Sequence, residues 1–329
     1  MASAKDVKKK IRTISNTRKI TRTMEMVATV RSKRAQNRIR ATGPYAEKLS
    51  GILRNLALSG SISHALMESA PEPGNSSAGS SRRGTGSPPP SQAEAAPKPI
   101  LVLVVTGNRG LCGGYNSNVL EVAHEWALKE REGGRELEIH VIGKKGMLKL
   151  RFLKVPMAKV YPRIGDDPRF ADAEEIAQEL MRRFRAGELE RVVIVSTRYL
   201  SASSQKPRIT QLLPVPHPRV PEAAEGAAGG GPAPAARRKG KPAPVEFDFE
   251  PGRGALLESL IPLSVKFALY KLLLEAAASE QIARRVAMKM ATDNAEEMIR
   301  VYTRKYNRQR QAGITQQIVE VVSGAQALE

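Results

Sequence analysis

The segment VKKKIRTISNTRKITRTMEMVA, residues 7–28, decides the fold of this chain. Its apolar side chains recur at gaps of mostly three and four residues, which is the spacing of a helix face that pairs with a second helix. We therefore predict one long coiled-coil helix over residues 1–60. A kink or break is expected at Gly43-Pro44, because a residue that precedes proline disfavours the helical conformation. The apolar positions are Val7, Ile11, Ile14, Ile20, Met24 and Val27, with polar Thr17 at the missing step.

A second long helix is predicted at the other end of the chain, within residues 245–329. Each of the two helices has a narrow apolar stripe and needs a partner, so the simplest expectation is that they pair with each other. At about 1.5 Å per residue, fifty-odd residues give a rod of about 80 Å. The second stripe consists of Ile282, Val286, Met290, Met298, Val301 and Tyr302, beside a row of small residues at Ala283, Ala287, Ala291 and Ala295.

Residues 100–216, between the two helices, are predicted to form an α/β domain. Apolar strands alternate with helices there, as is typical of α/β domains with right-handed crossovers. Residues 71–99 and 217–244 are rich in Pro, Gly, Ala and Ser, and we predict two linkers that bury too little surface to order themselves. The predicted strands are Ile100–Thr106, Leu137–Ile142 and Arg191–Thr197, with Arg208–Leu213 as the candidate for a fourth, and the predicted helices are Asn116–Glu132 and Asp172–Arg185.

Composition restricts the partners and the chemistry. The 329 residues carry a formal net charge of +20, which suits nucleic acid, an anionic membrane surface or an acidic protein surface. Cys112 is the only cysteine, so an internal disulfide is excluded, and a lone cysteine is more often buried than nucleophilic. The scattered histidines lack the spacing of a metal site, and we expect no cofactor. The longest aliphatic run, Ile100–Val105, is far shorter than the ~20 residues of a membrane span, so a soluble intracellular chain is expected.

The cations cluster on the predicted helices, where almost no acidic residue accompanies them. Seven lie between Val7 and Met24 and five between Met298 and Val319, with no acid in either stretch. Acidic protein surfaces around the rod would relieve this repulsion, and nucleic acid would do so equally well on charge alone. Against nucleic acid, the basic stretches have few aromatic side chains for base stacking and no known binding motif.

The glycine-rich segment GNRGLCGG, residues 107–114, follows a predicted strand and precedes a predicted helix. Phosphate-binding loops occupy such positions, but this segment lacks the Walker ending and the GxGxxG spacing. A tight turn that lets backbones approach closely is the favoured interpretation, with a nucleotide-binding enzyme as the alternative. The chain end from Ile314 to Val322 turns apolar again, and it either is sleeved by a partner or caps a core.

Four motifs in order resemble the F-type ATP synthase γ-subunit family. They are IRTISNTRKITRTMEMVA (residues 11–28), NRGLCGGYN (108–116), AMKMATDNA (287–295) and YNRQRQAGITQ (306–316). The resemblance implies an antiparallel coiled coil of the terminal helices with an inserted Rossmann-like α/β domain. It also implies a non-catalytic rotor shaft that couples proton-driven rotation of the c-ring to the conformational cycle of the β subunits.

The same resemblance implies partners and contact residues. The shaft would turn inside the α3β3 hexamer, and its foot would rest on the ε subunit and the c-ring, peripheral to the cytoplasmic side of a bacterial inner membrane, with no nucleic acid bound. Asn108 and Gln317 stand where the family usually has Asp and Glu. The implied β-subunit contacts are Met24, Arg308, Arg310, Gln311 and Thr315; the implied hydrophobic bearing is Ile318, Val319, Val321 and Val322; and the implied ε and c-ring contacts are Phe247, Phe249 and Glu250.

Overall fold

The computed structural model describes residues 4–58, 64–67, 98–162, 164, 167–201, 204–216 and 252–326. The two predicted linkers lie almost wholly outside these residues. The elements in chain order are α1 (Ala4–Leu58), β1 (Ile100–Val105), α2 (Tyr115–Glu132), β2 (Leu137–Ile142), α3 (Lys144–Phe152), β3 (Lys159–Tyr161), α4 (Phe170–Arg185), β4 (Arg191–Tyr199), β5 (Gln205–Leu213) and α5 (Arg253–Gln326). The sequence missed α3 and β3, which are both short.

The two terminal helices form an antiparallel coiled coil. Near one end the Thr21 and Thr292 hydroxyl oxygens lie 2.8 Å apart, and further along the pair the rings of Tyr45 and Phe267 stack at 4.2 Å. Residue numbers therefore rise along α1 while they fall along α5. This arrangement, with the α/β domain inserted between the helices, confirms the predicted fold class.

The helix–helix seam differs from the predicted stripe. Ile20 is 61% exposed and Val27 46% exposed, whereas their neighbours Thr21 and Ala28 are buried. A continuous two-helix contact needs a steady 3.5-residue repeat. After Ile14, each position of the predicted stripe lies one residue N-terminal to the position that this repeat requires. The buried and half-buried positions keep the repeat instead, through Val7, Ile11, Ile14, Arg18, Thr21, Glu25, Ala28, Ser32, Ala35, Ile39, Thr42, Ala46 and Leu49.

The seam of α5 differs from its predicted stripe at four positions. Met288, Thr292 and Ala295 are buried, and Ile299 and Tyr302 are half-buried. The predicted positions Ile282 and Tyr302 are confirmed, whereas Val286, Met290, Met298 and Val301 are among the exposed large side chains. Small and polar side chains therefore share the seam with larger ones.

No break occurs at Gly43-Pro44, because α1 continues helical through Pro44 to Leu58. Proline inside a helix costs roughly 3 kcal/mol or more. Packing of the residues that follow Pro44 offsets that cost, through the stacked ring of Tyr45 and through the buried side chains of Leu49 and Leu56. Helix α5 likewise contains Pro262.

The α/β domain has a five-stranded sheet in the order β3-β2-β1-β4-β5. The first four strands are parallel, and β5 runs antiparallel to β4. Alternate residues of β1 face opposite sides: Leu101 and Leu103 pack under α4 and α5, and Val102 and Val104 pack under α2 and α3. The sheet is therefore covered on both faces, as the continuous apolar strands predict.

Helix α5 belongs to both the shaft and the α/β domain. Residues Leu273–Ile282, which we call the clasped segment, are buried without interruption between α1 and the sheet. Beyond Arg284 exposed positions recur every turn, and α1 is the element with which α5 makes most of its contacts. No helix among the described residues has an apolar stretch long enough to cross a membrane.

Candidate functional site on the exposed shaft

Helix α5 extends beyond the first residue of α1 and ends as a single helix without α1 beside it. Counting from the Thr21–Thr292 pair places Ala4, where α1 begins, opposite about residue 309. Residues 311–326, which we call the bare tip, continue for about 24 Å at 1.5 Å per residue. The described side chains of the bare tip are exposed, including Val321 at 72%. An apolar helix end of this kind needs a surrounding surface.

The cations of the shaft are mostly unneutralised. Arg18 lies 3.6 Å from Glu296, and Lys289 lies 3.6 Å from Asp293. Within the described residues, by contrast, no ion pair is formed by Lys8, Lys9, Lys10, Arg12, Lys19, Arg22, Arg300, Arg304, Lys305, Arg308 or Arg310. The exposed face of the shaft is therefore a strong positive surface that favours acidic neighbours.

Large apolar side chains stand among these cations on the outside of α1. Ile20 and Val27 lie on this outer face and not in the seam. Met26 and Val30 accompany them, and all four side chains are exposed. The sequence missed them as surface residues because it assigned Ile20 and Val27 to the seam. A surface that mixes cations with exposed Met and Ile suits a protein partner with acidic and apolar groups.

A basic cleft of about 840 Å³ lies where α1 passes the carboxyl ends of β1 and β2. Of its two acids, Asp167 pairs with Arg38, and Asp172 accepts a 2.9 Å hydrogen bond from the backbone N–H of Arg169. This cleft could not be predicted from the sequence, because its cations come from separate stretches of chain. They are Arg31, Arg34, Arg38, Arg109, Lys144 and Arg169.

Comparison with known proteins accounts for this shaft. A family model described as ATP synthase matches residues 3–328. The chain is 38% identical over 328 residues to the ATP synthase gamma chain of Leptospira biflexa serovar Patoc, and it covers the whole of both chains. The chain belongs to the ATP synthase γ-chain family. The γ chain of Gemmatimonas aurantiaca is 40% identical over 331 residues, again with complete coverage of both chains.

Solved structures show the same fold. The rotor of the Euglena gracilis mitochondrial ATP synthase matches with a TM-score of 0.56 at 18% identity, over 94% of this chain and 98% of that one. A second structure of that enzyme, which contains OSCP, F1 and the c-ring, matches with a TM-score of 0.59 over 99% of this chain and 94% of that one. The fold is thus that of an ATP synthase central stalk, and the comparisons give no support to the nucleic-acid-binding alternative.

The implied γ-chain contact residues fall into separate regions of this structure. Arg308, Arg310, Gln311 and Thr315 are all exposed and lie near the level at which α1 begins. Met24 is half-buried, and its level on the shaft is about 30 Å nearer the α/β domain at 1.5 Å per residue. The four implied bearing residues, Ile318, Val319, Val321 and Val322, lie exposed on the bare tip. The implied ε and c-ring contacts Phe247, Phe249 and Glu250 lie outside the described residues.

The glycine loop, residues 107–114, is closed by internal contacts. The Gly107 N–H donates to Asn116 Oδ1 at 2.8 Å, and the Gly146 N–H at the start of α3 donates to Thr106 Oγ1 at 3.0 Å. The Glu280 carboxylate lies so near Gly107 that a Cβ added there would meet its carbon at 2.7 Å. A phosphate would have to displace a like charge, so the geometry supports the tight-turn interpretation.

Asn108 uses both ends of its amide. Its Oδ1 accepts from the Lys144 N–H at 2.9 Å, and its Nδ2 donates to the Ile164 carbonyl at 3.0 Å. An aspartate could accept from Lys144 but has no hydrogen to donate when ionised. The departure from the family pattern at this position therefore adds a contact.

Burial controls the remaining titratable groups of the loop. Cys112 is buried, and its pKa is raised first by burial and then by the negative charge of Glu280. The pKa of Tyr115 is raised well above its usual value by the same two causes. The thiol is therefore held in its protonated, unreactive form, which agrees with the expectation of a small buried residue.

Proposed function

We propose that this chain is the non-catalytic rotor shaft of its ATP synthase, turning with the c-ring and forcing the β subunits through their conformational cycle. The observation that carries the proposal is the bare tip, an apolar single helix that extends beyond a coiled coil with unneutralised cations. Such a surface is stable only inside a close-fitting, acidic housing, for which the α3β3 hexamer is the proposed partner.

Torque would pass to the β subunits at two levels of the shaft. Arg308, Arg310, Gln311 and Thr315 form the upper contact, where their exposed polar side chains can hydrogen-bond to β as each subunit closes. Met24, together with exposed Met26 and Val27, forms the lower contact beside the cations of α1. The two contacts lie at different heights on an asymmetric pair of helices. Each orientation of the shaft would therefore favour one conformation of a given β subunit.

The bare tip would turn in a hydrophobic bearing at the end of the hexamer. Ile318, Val319, Val321 and Val322 together cover about half of the circumference of the helix at 3.6 residues per turn, and an apolar sleeve can hold this face as the shaft turns. At the opposite end, the foot would rest on ε and the c-ring through Phe247, Phe249 and Glu250. This arrangement makes the chain peripheral to the cytoplasmic side of a bacterial inner membrane.

The test uses the intact complex in inverted membrane vesicles, with this chain as its γ subunit. Arg310→Ala and Gln311→Ala should each lower ATP hydrolysis and ATP-driven proton uptake in parallel, because they weaken the upper contact. The matched control is Arg182→Ala, which removes an exposed cation from α4 and should leave both rates unchanged. Unchanged rates in both shaft variants would refute the upper contact, and ATP hydrolysis by the purified chain alone would refute the non-catalytic role.

A further inference from the structure

The glycine loop contacts helix α5 at the C-terminal end of the clasped segment. Glu280 and Arg284 are one turn apart on α5 and both are buried. They form an i, i+4 ion pair through Glu280 Oε1 and Arg284 Nη2. Beyond this pair exposed positions recur along α5 at every turn.

This ion pair contacts the loop at two points. The carboxylate of Glu280 fills the space above Gly107, where a Cβ would meet the carboxyl carbon and Oε1 at 2.7 Å. Arg284 Nη2 donates to the Gly110 carbonyl at 3.5 Å, a long hydrogen bond. Gly113, at a φ of +56°, brings the far side of the loop near Ala287, whose Cβ would lie 3.9 Å from an added Cβ. Three successive turns of α5 thus touch one loop.

The loop occupies the position in which α/β folds hold anions, at the carboxyl end of a central parallel strand. Here the N-terminus of α3 is already satisfied, since Lys144 N–H donates to Asn108 Oδ1 and Gly146 N–H donates to Thr106 Oγ1. The negative group at this position is supplied by the chain itself, on the rotating helix. Glycine at 107 is what allows the carboxylate to approach the backbone so closely.

We propose that the glycine loop is a socket for the Glu280 carboxylate, and that Glu280 and Arg284 are positioning residues that fix the rotational setting of the α/β domain on the shaft. This inference rests on the proposed rotor function. A buried ion pair adds little net stability over apolar residues of the same size, but it is demanding in geometry. We therefore expect the ion pair to act mainly on the rotational setting of the α/β domain relative to the shaft. If the pair is weakened, the shaft should turn relative to the foot before torque is transmitted.

The experiment compares variants of the chain within the intact complex in inverted vesicles. The measured quantity is the ratio of ATP-driven proton uptake to ATP hydrolysis, at equal complex content, with thermal stability recorded separately. The variants are Gly107→Ala, which places a methyl group in the socket, Glu280→Gln, which keeps the side-chain volume, Glu280→Ala, and the double variant Gly107→Ala/Glu280→Ala. The matched control is Glu275→Gln, a second buried carboxylate on α5 outside the socket.

Gly107→Ala and Glu280→Gln should each lower the ratio by about threefold or more, and the double variant should be no worse than Glu280→Ala alone, because contacting sites are not additive. Glu275→Gln should leave the ratio at the wild-type value even where it lowers thermal stability. If Gly107→Ala does not assemble, Glu280→Gln carries the test.

An unchanged ratio in Glu280→Gln, or additive losses in the double variant, would overturn the socket while leaving the rotor function intact. A wild-type complex that hydrolyses ATP but never takes up protons would instead overturn the rotor function itself. The two failures are therefore distinguishable in the same vesicles.

Discussion

A disulfide between the two shaft helices tests the corrected seam. The hydroxyl oxygens of Thr21 and Thr292 are 2.8 Å apart and buried. Sulfur atoms placed at these positions need only small side-chain rotations to reach the bonding distance of about 2.05 Å. Thr21→Cys/Thr292→Cys should therefore cross-link within one chain under mild oxidation.

The expected stabilisation can be worked from the length of the closed loop. The two positions are 271 residues apart, and the chain-entropy relation gives about 5.6 kcal/mol for a loop of that size, as an upper value before native-state strain. The assay is migration on a non-reducing gel, followed by thermal unfolding with and without reductant. Because both helices are proposed to turn as one body, the linked chain should still support ATP hydrolysis in the complex.

The control pair follows the stripe that the sequence predicted. Ile20→Cys/Met290→Cys places both thiols on the outside of the coiled coil, where each native side chain is 61% exposed, and it should not cross-link. Cys112 is buried and stays the same in every variant. Cross-linking of the control pair without cross-linking of Thr21→Cys/Thr292→Cys would refute the seam.

Three further predictions concern stability. Burial lowers the pKa of His140 below its usual 6.5, so at acidic pH the unfolded chain binds a proton that the folded chain excludes. The melting temperature should therefore decrease as the pH is lowered through about 6.5, and it should decrease less in His140→Gln. Hydrogen bonds from Arg183 hold the pKa of Glu138 at about 2, so its contribution of about 3 kcal/mol is present above pH ~4.5 and is lost as the pH falls towards 2; Glu138→Gln should remove that step from an acid titration followed by circular dichroism. A Cβ added at Gly43 meets nothing within 4 Å, so Gly43→Ala should raise the unfolding free energy by about 0.5–1 kcal/mol in a denaturant titration.

The elements with a strong period were predictable from the sequence. Strand β2 has its predicted bounds, and β1 and α2 differ from prediction by one residue at one end, because long apolar runs and helix periodicity leave few alternatives. The short α3 and β3 were not predictable. Only Gly146 and Leu150 of α3 are buried, and β3 has three residues at the sheet edge, so neither leaves a hydrophobic pattern.

The seam was mispredicted for a physical reason that also explains the site. Sequence periodicity identifies apolar residues, and on this shaft several of the largest, such as Ile20, Val27 and Met290, face outward. Several seam positions are small or polar instead, as at Ala28 and Thr292. A hydrophobic stripe on a helix reports burial of some kind, but it does not distinguish burial inside the chain from burial against a partner.

That ambiguity has an energetic consequence for the shaft. Apolar burial contributes about 25 cal/mol per Å², and seam residues such as Ala28, Ser32 and Ala295 have little apolar area to bury. Between the clasped segment and the bare tip, α1 and α5 are therefore held together weakly by their own seam, while their larger outward-facing apolar side chains remain in water. The enclosing surface that would cover those side chains and neutralise the adjacent cations would also supply much of the free energy that keeps the shaft straight. A shaft built in this way is stiff where it is housed, and it depends on the Glu280–Arg284 pair for its rotational setting where the housing ends.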